Sequence, residues 1–334
     1  MPEALGGIEP ADKVEGGEEP DEKICEVCGD QITKGESHVC SRCNACGAIL
    51  ICGEEHICTV LFETAEDNPH IGILTLNRPK GNTLNTTMLE ALLVVLGRVN
   101  SINSNTEIRV LIMRSEGKHS GFGADLNELV NKIGEGQYTS ISLKDAVQHI
   151  KLGRDVVKAL MELRVPTIGI MYGFCLGGSF ELYLACDVLF GASDHKSDGG
   201  LICGLPEPEI GLMAGWFGPE NLIKRIGRGN AKYLLFPGRK IGAEQALRIG
   251  IIQELHFKSG LMEAALKWAS DVANCAPLAV EATKTTVDGI IFPCLSSTIY
   301  STGKPSSDGM MTADFVNGVA SLLDKTKRPK YERE

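Results

Sequence analysis

No uninterrupted apolar run in the chain approaches the roughly 18 to 20 residues that a membrane-spanning helix needs, which argues against a membrane protein. Positive charge is also short, since 33 Lys and Arg face 43 Asp and Glu for a formal net charge of -10. That balance excludes a nucleic-acid protein held mainly by bulk positive charge. The opening residues, MPEALGGIEPADKVEGGEEPDEK, have neither the basic n-region nor the apolar core of a secretory signal, so a cytoplasmic, reducing address is expected. A hydrophobic fraction of 43% and a mean hydropathy of +0.01 are ordinary for a globular chain of 334 residues.

What is present is distributed unevenly. Residues 1–23 hold eight acidic groups and two lysines among repeated Gly and Pro, and so supply -6 of the net -10. Such a segment buries too little apolar surface to offset ordering, and a disordered acidic tail is expected. Of the 12 cysteines, 7 fall between Cys25 and Cys58. Residues 24–58 are too few for a hydrophobic core of their own, and a metal usually supplies the deficit. Residues 59–260 and 261–334 are expected to form a core domain and a C-terminal helical region.

The cysteine spacing is Cys25-x2-Cys28, then Cys40-x2-Cys43-x2-Cys46, followed by Cys52, His56 and Cys58. Two C-x2-C knuckles aim four thiolates at one tetrahedral Zn²⁺, and a full cysteine shell leaves no position for water, so a structural role is expected. The surplus ligands allow one ion or two. An iron-sulfur cluster is the alternative, although the fourth cysteine and its proline are missing at the ferredoxin offset. The unit offers Lys34 and Arg42 against Glu26, Asp30, Glu36, Glu54 and Glu55. It therefore suits a protein contact or acyl handling better than nucleic acid.

In the body, CTVLFETA (58–65) and IGILTLN (71–77) alternate as a strand pair, TMLEALLVVLGRVNSI (87–102) has helical apolar spacing, and RVLIMRS (109–115) reads as a buried strand. Residues 143–163 read as helix and PTIGIMYG (166–173) as strand. Helices are also expected over 243–251, 261–275 and on to Lys325. The order strand, glycine turn, helix, strand indicates an α/β protein of repeated β-β-α units.

Two glycine-bearing turns carry the chemistry: HSGFGADLNEL (119–129) and GFCLGGSFEL (173–182). Glycines at a strand-to-helix junction let backbone N–H groups approach a ligand, and two such turns can aim two donors at one oxygen. Glu181 follows Gly178 on an apolar helix, where burying a carboxylate is costly unless it is used or paired. ICGLPEPEIGL adds Glu207 and Glu209. His119 and His149 show no partner pattern and are expected to be surface or packing residues.

LNRPKGNTLN (76–85), GFGAD (121–125), GFCLGGSFEL with ACDVLFGAS (185–193), and GLPEPEIGLMAGWFG (204–218) together resemble the crotonase, or enoyl-CoA hydratase, superfamily across residues 59 to about 330. The resemblance implies a crotonase spiral and a C-terminal helical trimerisation region, with trimers commonly paired as hexamers. It implies an acyl-CoA substrate, no cofactor for catalysis, and an oxyanion hole from the backbone N–H groups of Ala124 and Gly178. The paired glutamates of family hydratases fall on Glu181 and on Glu207 of the P-E motif. Glu207 is preferred to Glu209 because Gly211, Gly215, Gly218, Leu222 and Gly227 then fall in register.

The implied reaction adds water across an α,β-unsaturated acyl-CoA, with isomerisation, thioester hydrolysis or idle acyl-CoA binding beside a partner-recruiting zinc module as alternatives. Phe122, Gly123, Asp125, Gly177, Trp216 and Phe217 are the expected substrate contacts. Phe122 and the Trp216-Phe217 pair replace small residues of the family. With RPKGN, FGA and CLGG they most resemble cyclohexa-1,5-dienecarbonyl-CoA hydratases of aromatic degradation, whose substrate is a flat ring. Lys325, Lys327, Arg328 and Lys330 are candidate partners for CoA phosphates.

Overall fold

The computed structural model describes residues 58–100, 108–132, 138–141, 143–195 and 199–291, four short strands within 23–51, and Val316 and Val319. The chain divides into two compact units, one within residues 1–56 and one built mainly from 57–334. In the first, β1 (Lys23–Ile24) pairs antiparallel with β2 (Gln31–Ile32), and β3 (Val39–Cys40) with β4 (Leu50–Ile51). The segment joining β1 to β2 carries Cys25 and Cys28. Residues 1–22, and Cys25, Cys28, Cys43, Cys46, Cys52 and His56, lie outside the described residues. Cys58 is part-buried against the core of the second unit. Among the described residues no group of three His, Cys, Asp or Glu side chains is placed to hold a metal ion.

The second unit begins with β5 (Val60–Ala65) and β6 (Asn68–Leu76), followed by α1 (Thr86–Val99) and β7 (Val110–Ser115). Asn85 caps α1 by accepting the Met88 N–H. Next come α2 (Leu126–Leu129), the short pair β8 (Val130–Lys132) and β9 (Tyr138–Ile141), and the long α3 (Leu143–Met161). Strands β10 (Thr167–Met171) and β11 (Phe174–Leu176) lead into α4 (Gly178–Leu184), β12 (Val188–Ala192) and β13 (Ile202–Gly204). After a 3-10 turn at Glu207–Ile210 follow α5 (Gly218–Leu235), β14 (Ile241–Gly242), α6 (Ala243–Arg248), β15 (Glu254–His256), α7 (Leu261–Ala273) and α8 (Pro277–Ile291).

Six strands form the main sheet in the order β15-β12-β10-β7-β6-β5, with every pairing parallel except β5 with β6. Alternation divides each strand between two cores. Leu111, Met113, Met171 and Leu189 face the larger core with α1, α3, α4 and α5, whereas Val110, Ile112, Ile168, Ile170 and Phe190 face the other. The second face is covered by α7 through Leu261 and, at one-turn spacing after it, Ala265, Ala269 and Ala273, whose small side chains let the helix lie close to the sheet. A smaller sheet, β11-β13-β14, stands at the C-terminal end of β10. Its strands β11 and β13 lead into α4, which carries Glu181, and into the 3-10 turn that Glu207 opens.

The expected elements of the body are present, with ends shifted by a few residues: the helix expected over 87–102 runs Thr86–Val99, and that over 143–163 ends at Met161. Of the helical stretch expected to reach Lys325, Pro277–Ile291 forms α8 and Val316 and Val319 are helical, whereas the rest of 292–325 and the basic residues 325–330 lie outside the described residues. Among the described residues no helix is long and apolar enough to cross a membrane.

Candidate active site

The GAD turn is fixed by hydrogen bonds on both sides. Leu84 N–H donates to Gly123 O at 2.8 Å and Asp125 N–H to Leu84 O at 3.0 Å. That bridge uses the residues flanking Ala124 and leaves the Ala124 N–H outside the ladder. Asp125 is clamped by Arg78 Nη2 at 2.7 Å, while Arg78 Nη1 donates to Thr83 O at 2.9 Å. Burial raises the Asp125 carboxyl, but the bonds from Arg78 and Asn127 outweigh it and hold it below the usual carboxylate range.

The second glycine turn lies directly against the first. Gly123 N–H donates to Ser179 Oγ at 2.9 Å, and a methyl built on Gly123 would meet Gly178 N at 3.0 Å. Gly177 takes φ 55 and ψ -138, a conformation that only glycine adopts without strain, as the N-cap of α4. Its own N–H donates to Gly204 O, which leaves Gly178 as the first helical N–H of α4. The two turns thus present Ala124 and Gly178 N–H groups on adjoining backbone.

Glu181 is 2% exposed, in a helix whose residues are all buried. Its Oε1 accepts the N–H groups of Trp216 at 2.7 Å and Gly218 at 2.8 Å. The carboxylate therefore sits at the N-terminus of α5 rather than its own helix, where the unsatisfied amides and the helix dipole favour negative charge. Phe217, between the two donors, has φ 69, which turns alternate N–H groups toward one oxygen. Burial and the nearby Glu207 charge push the Glu181 carboxyl well above its ordinary range, against the pull of the Gly218 and Trp216 amides.

Glu207 opens the 3-10 turn after Pro206. It is part-buried as a residue, but its Oε2 is wholly buried and has no hydrogen-bond partner among the described residues. Burial pushes its carboxyl up to about 7. Its Oε1 lies close to the glycine turn, 3.0 Å from where a Gly177 side chain would begin. Glu209 instead turns outward and pairs with Lys240 at 2.6 Å.

These groups share one cavity of about 360 Å³. Its wall contains Glu181, Glu207, Ala124, Gly178, Phe122, Gly123, Asp125, Gly177 and Trp216. Phe217 does not join them. At 2% exposure it is packed into the core beneath the Arg154 guanidinium, 4.2 Å from its ring, because the left-handed backbone that aims the amides at Glu181 turns its side chain inward. Phe122 is 40% exposed at the rim, against His119 and Phe174.

His119 is a packing residue as expected, with Nδ1 accepting the Phe174 N–H at 3.2 Å. His149 is buried and packs against Trp216, and it also stands in the cavity wall, which the sequence reading did not foresee. Arg154, Ser179 and Arg78 also escaped the sequence reading. Arg154 Nη1 donates to Gly215 O at 2.9 Å and steadies the turn that holds Glu181. Their contacts span 61, 56 and 47 residues of chain, so no local pattern could reveal them.

Residues 66–332 match the family model described as Enoyl-CoA hydratase/isomerase. A short-chain-enoyl-CoA hydratase of Clostridium acetobutylicum is 29% identical over 266 residues, covering 78% of this chain and 94% of the relative. A 2,3-dehydroadipyl-CoA hydratase of Escherichia coli is 30% identical over 213 residues, covering 64% and 76%. The crystal structure of an enoyl-CoA hydratase from Bacillus anthracis superposes with a TM-score of 0.60 at 28% identity, over 83% of this chain and 100% of that one. The fold, the match over most of its length and these relatives place the chain in the enoyl-CoA hydratase/isomerase family, as an enzyme of the hydro-lyase type.

Proposed function

We propose that the chain adds water across the double bond of an α,β-unsaturated acyl-CoA. The observation that carries this reading is the pair of carboxyls, Glu181 and Glu207, in one cavity with the Ala124 and Gly178 N–H groups. A thioester oxygen held by the two N–H groups gathers the enolate charge that forms as water reaches the β-carbon. Both carboxyls are raised by burial, and Glu181 also by the Glu207 charge, so the pair enters the cycle holding one proton between them. The ionised member takes a proton from water, and the protonated member delivers one to the α-carbon. With Oε1 of Glu181 held by two amides, Oε2 is left to face the water.

Within this reading the acyl group is a cyclic dienoyl. The flat indole of Trp216 in the wall and the Phe122 ring at the rim favour it. A panel of linear and cyclic enoyl-CoAs, assayed with the wild type and Glu207→Gln, tests both levels. Hydration of some member, lowered about 100-fold or more in the variant, supports the reaction; equal turnover by the two proteins overturns the site. Faster turnover of linear substrates overturns the ring preference alone.

Two further elements rest on the sequence. Two C-x2-C knuckles support a structural zinc in residues 24–58, serving a partner contact, and metal analysis of the purified full chain tests it. Exposed Ile223, Tyr233, Phe236 and Val287 support assembly into trimers or hexamers, which sedimentation would measure.

A further inference from the structure

His149 is a polar group in the cavity wall that the proposed hydration does not use. It projects from α3, is 3% exposed, and neither ring nitrogen has a hydrogen-bond partner among the described residues. A buried donor or acceptor left unmade costs about 1–3 kcal/mol, so a side chain in this state is matched to something that enters the cavity. Its ring lies 5.5 Å from that of Trp216. The indole in turn covers Gly178, since a methyl built there would meet it at 2.5 Å. Trp216 N–H holds Glu181. His149 therefore stands across the indole from the reacting centre, in a wall that Leu126, Ile150, Leu176, Ile210, Leu212 and Met213 also line.

We propose that His149 selects acyl groups carrying a neutral oxygen, a hydroxyl or a keto group, beyond the reacting double bond, and so determines the specificity of the site. The proposal rests on reading the cavity as an acyl-CoA site. Burial pushes the imidazole below its ordinary pKa, against the smaller opposing pull of Glu128 and Asp125, so it is neutral and offers one N–H and one lone pair. A hydroxyl complements either nitrogen and a keto oxygen takes the N–H. A carboxylate is disfavoured, because it would meet Asp125, Glu181 and Glu207 in the same wall, where Lys240 is already paired with Glu209 and a neutral His149 supplies no cation.

Binding of saturated acyl-CoAs reads the preference without turnover. Titration calorimetry would compare hexanoyl-CoA and octanoyl-CoA with their ω-hydroxy, ω-oxo and ω-carboxy counterparts on the full-length wild type, His149→Phe and His149→Gln. The expected result is that wild type binds an ω-hydroxy or ω-oxo member about 3- to 10-fold more tightly than its alkyl partner. In His149→Phe that ratio falls to about one, and His149→Gln, which keeps a donor and an acceptor, retains part of it. No preference in wild type, a preference for the carboxylate, or a ratio unchanged in His149→Phe overturns the proposal. Hydration of the enoyl-CoA panel decides the reaction separately: hydration without the preference sinks this inference alone, and the preference without hydration sinks the reaction alone. If neither this series nor any linear or cyclic member of the enoyl-CoA panel binds, both fall.

Discussion

The Oε1 oxygen of Glu181 accepts the backbone N–H of Trp216 at 2.7 Å, across 35 residues of chain, and so joins the helix after one glycine turn to the segment after the P-E motif. Because Gly218 N–H reaches the same oxygen, positioning and chemistry can be separated by substitution. Glu181→Gln keeps an oxygen for both amides and loses the ionisable group. Hydration should fall by about 10²–10⁴-fold with little change in thermal midpoint. Glu181→Ala should in addition lose about 1–3 kcal/mol for each buried N–H left unsatisfied. Equal midpoints for the two variants would show that the amides do not depend on this carboxylate.

Glu207 should trade stability for activity. Its carboxyl is raised from 4.5 to about 7 by burial, so the folded state holds the proton more tightly than the unfolded chain. The stability this contributes is fully present below 4.5 and is lost as pH rises through about 7. Glu207→Gln cannot ionise, and above neutral pH it should be more stable than wild type by about 3 kcal/mol. Urea unfolding at acidic and mildly alkaline pH would show that gain vanish on the acidic side. A variant no more stable than wild type at either pH would mean the carboxylate is not strained.

Turnover should follow the same titration. The reaction needs one proton on the pair, so kcat/KM should rise as pH passes through about 7, where Glu207 ionises, and fall again once the pair has lost its second proton. A profile flat from acid to alkaline pH would remove the pair from the rate-limiting chemistry.

Ser179 ties the two glycine turns together through the Gly123 N–H. It is fully buried, and Ser179→Ala leaves that amide without its acceptor, at a cost of about 1–3 kcal/mol. Since Gly123 precedes the proposed donor Ala124, kcat should fall more than KM rises. A stability loss with unchanged kcat would confine Ser179 to holding the fold.

Gly178 is a test of close packing. A methyl there would come within 2.5 Å of the Trp216 ring, itself buried, so Gly178→Ala must displace the indole. Overpacking of this kind costs about 1–3 kcal/mol, and turnover should drop about 100-fold as the donor shifts. Turnover at the wild-type rate, measured beside near-ultraviolet circular dichroism, would mean that the ring moves freely.

Much of the fold was legible because its elements follow local rules. The short apolar run in Val110–Ser115 and the apolar stripe of Thr86–Val99 place both elements within a few residues, and adjacent glycines mark the turn before Glu181. PEPE could not by itself say which carboxylate faces inward. That depends on Lys240, 31 residues beyond Glu209, drawing the second one outward. Phe217 was misplaced for a similar reason: its direction is set by a left-handed backbone, and an aromatic residue gives no sequence sign of positive φ. His149 looked inert because a lone histidine acquires meaning from the walls around it.

The turn from Trp216 to Gly218 acts as an anion receptor whose guest is one of the protein's own side chains. Glu181 is thereby anchored twice, covalently through α4 and through two amides to the first residues of α5. A rotation of α5 of even a fraction of an ångström would slacken one amide before the other and change the carboxylate's affinity for its proton. Gly227, at φ 72 and ψ 165, breaks the helix, so any such motion is confined to the first turns, where Ile223 is exposed, and does not carry to Tyr233 and Phe236 beyond the kink.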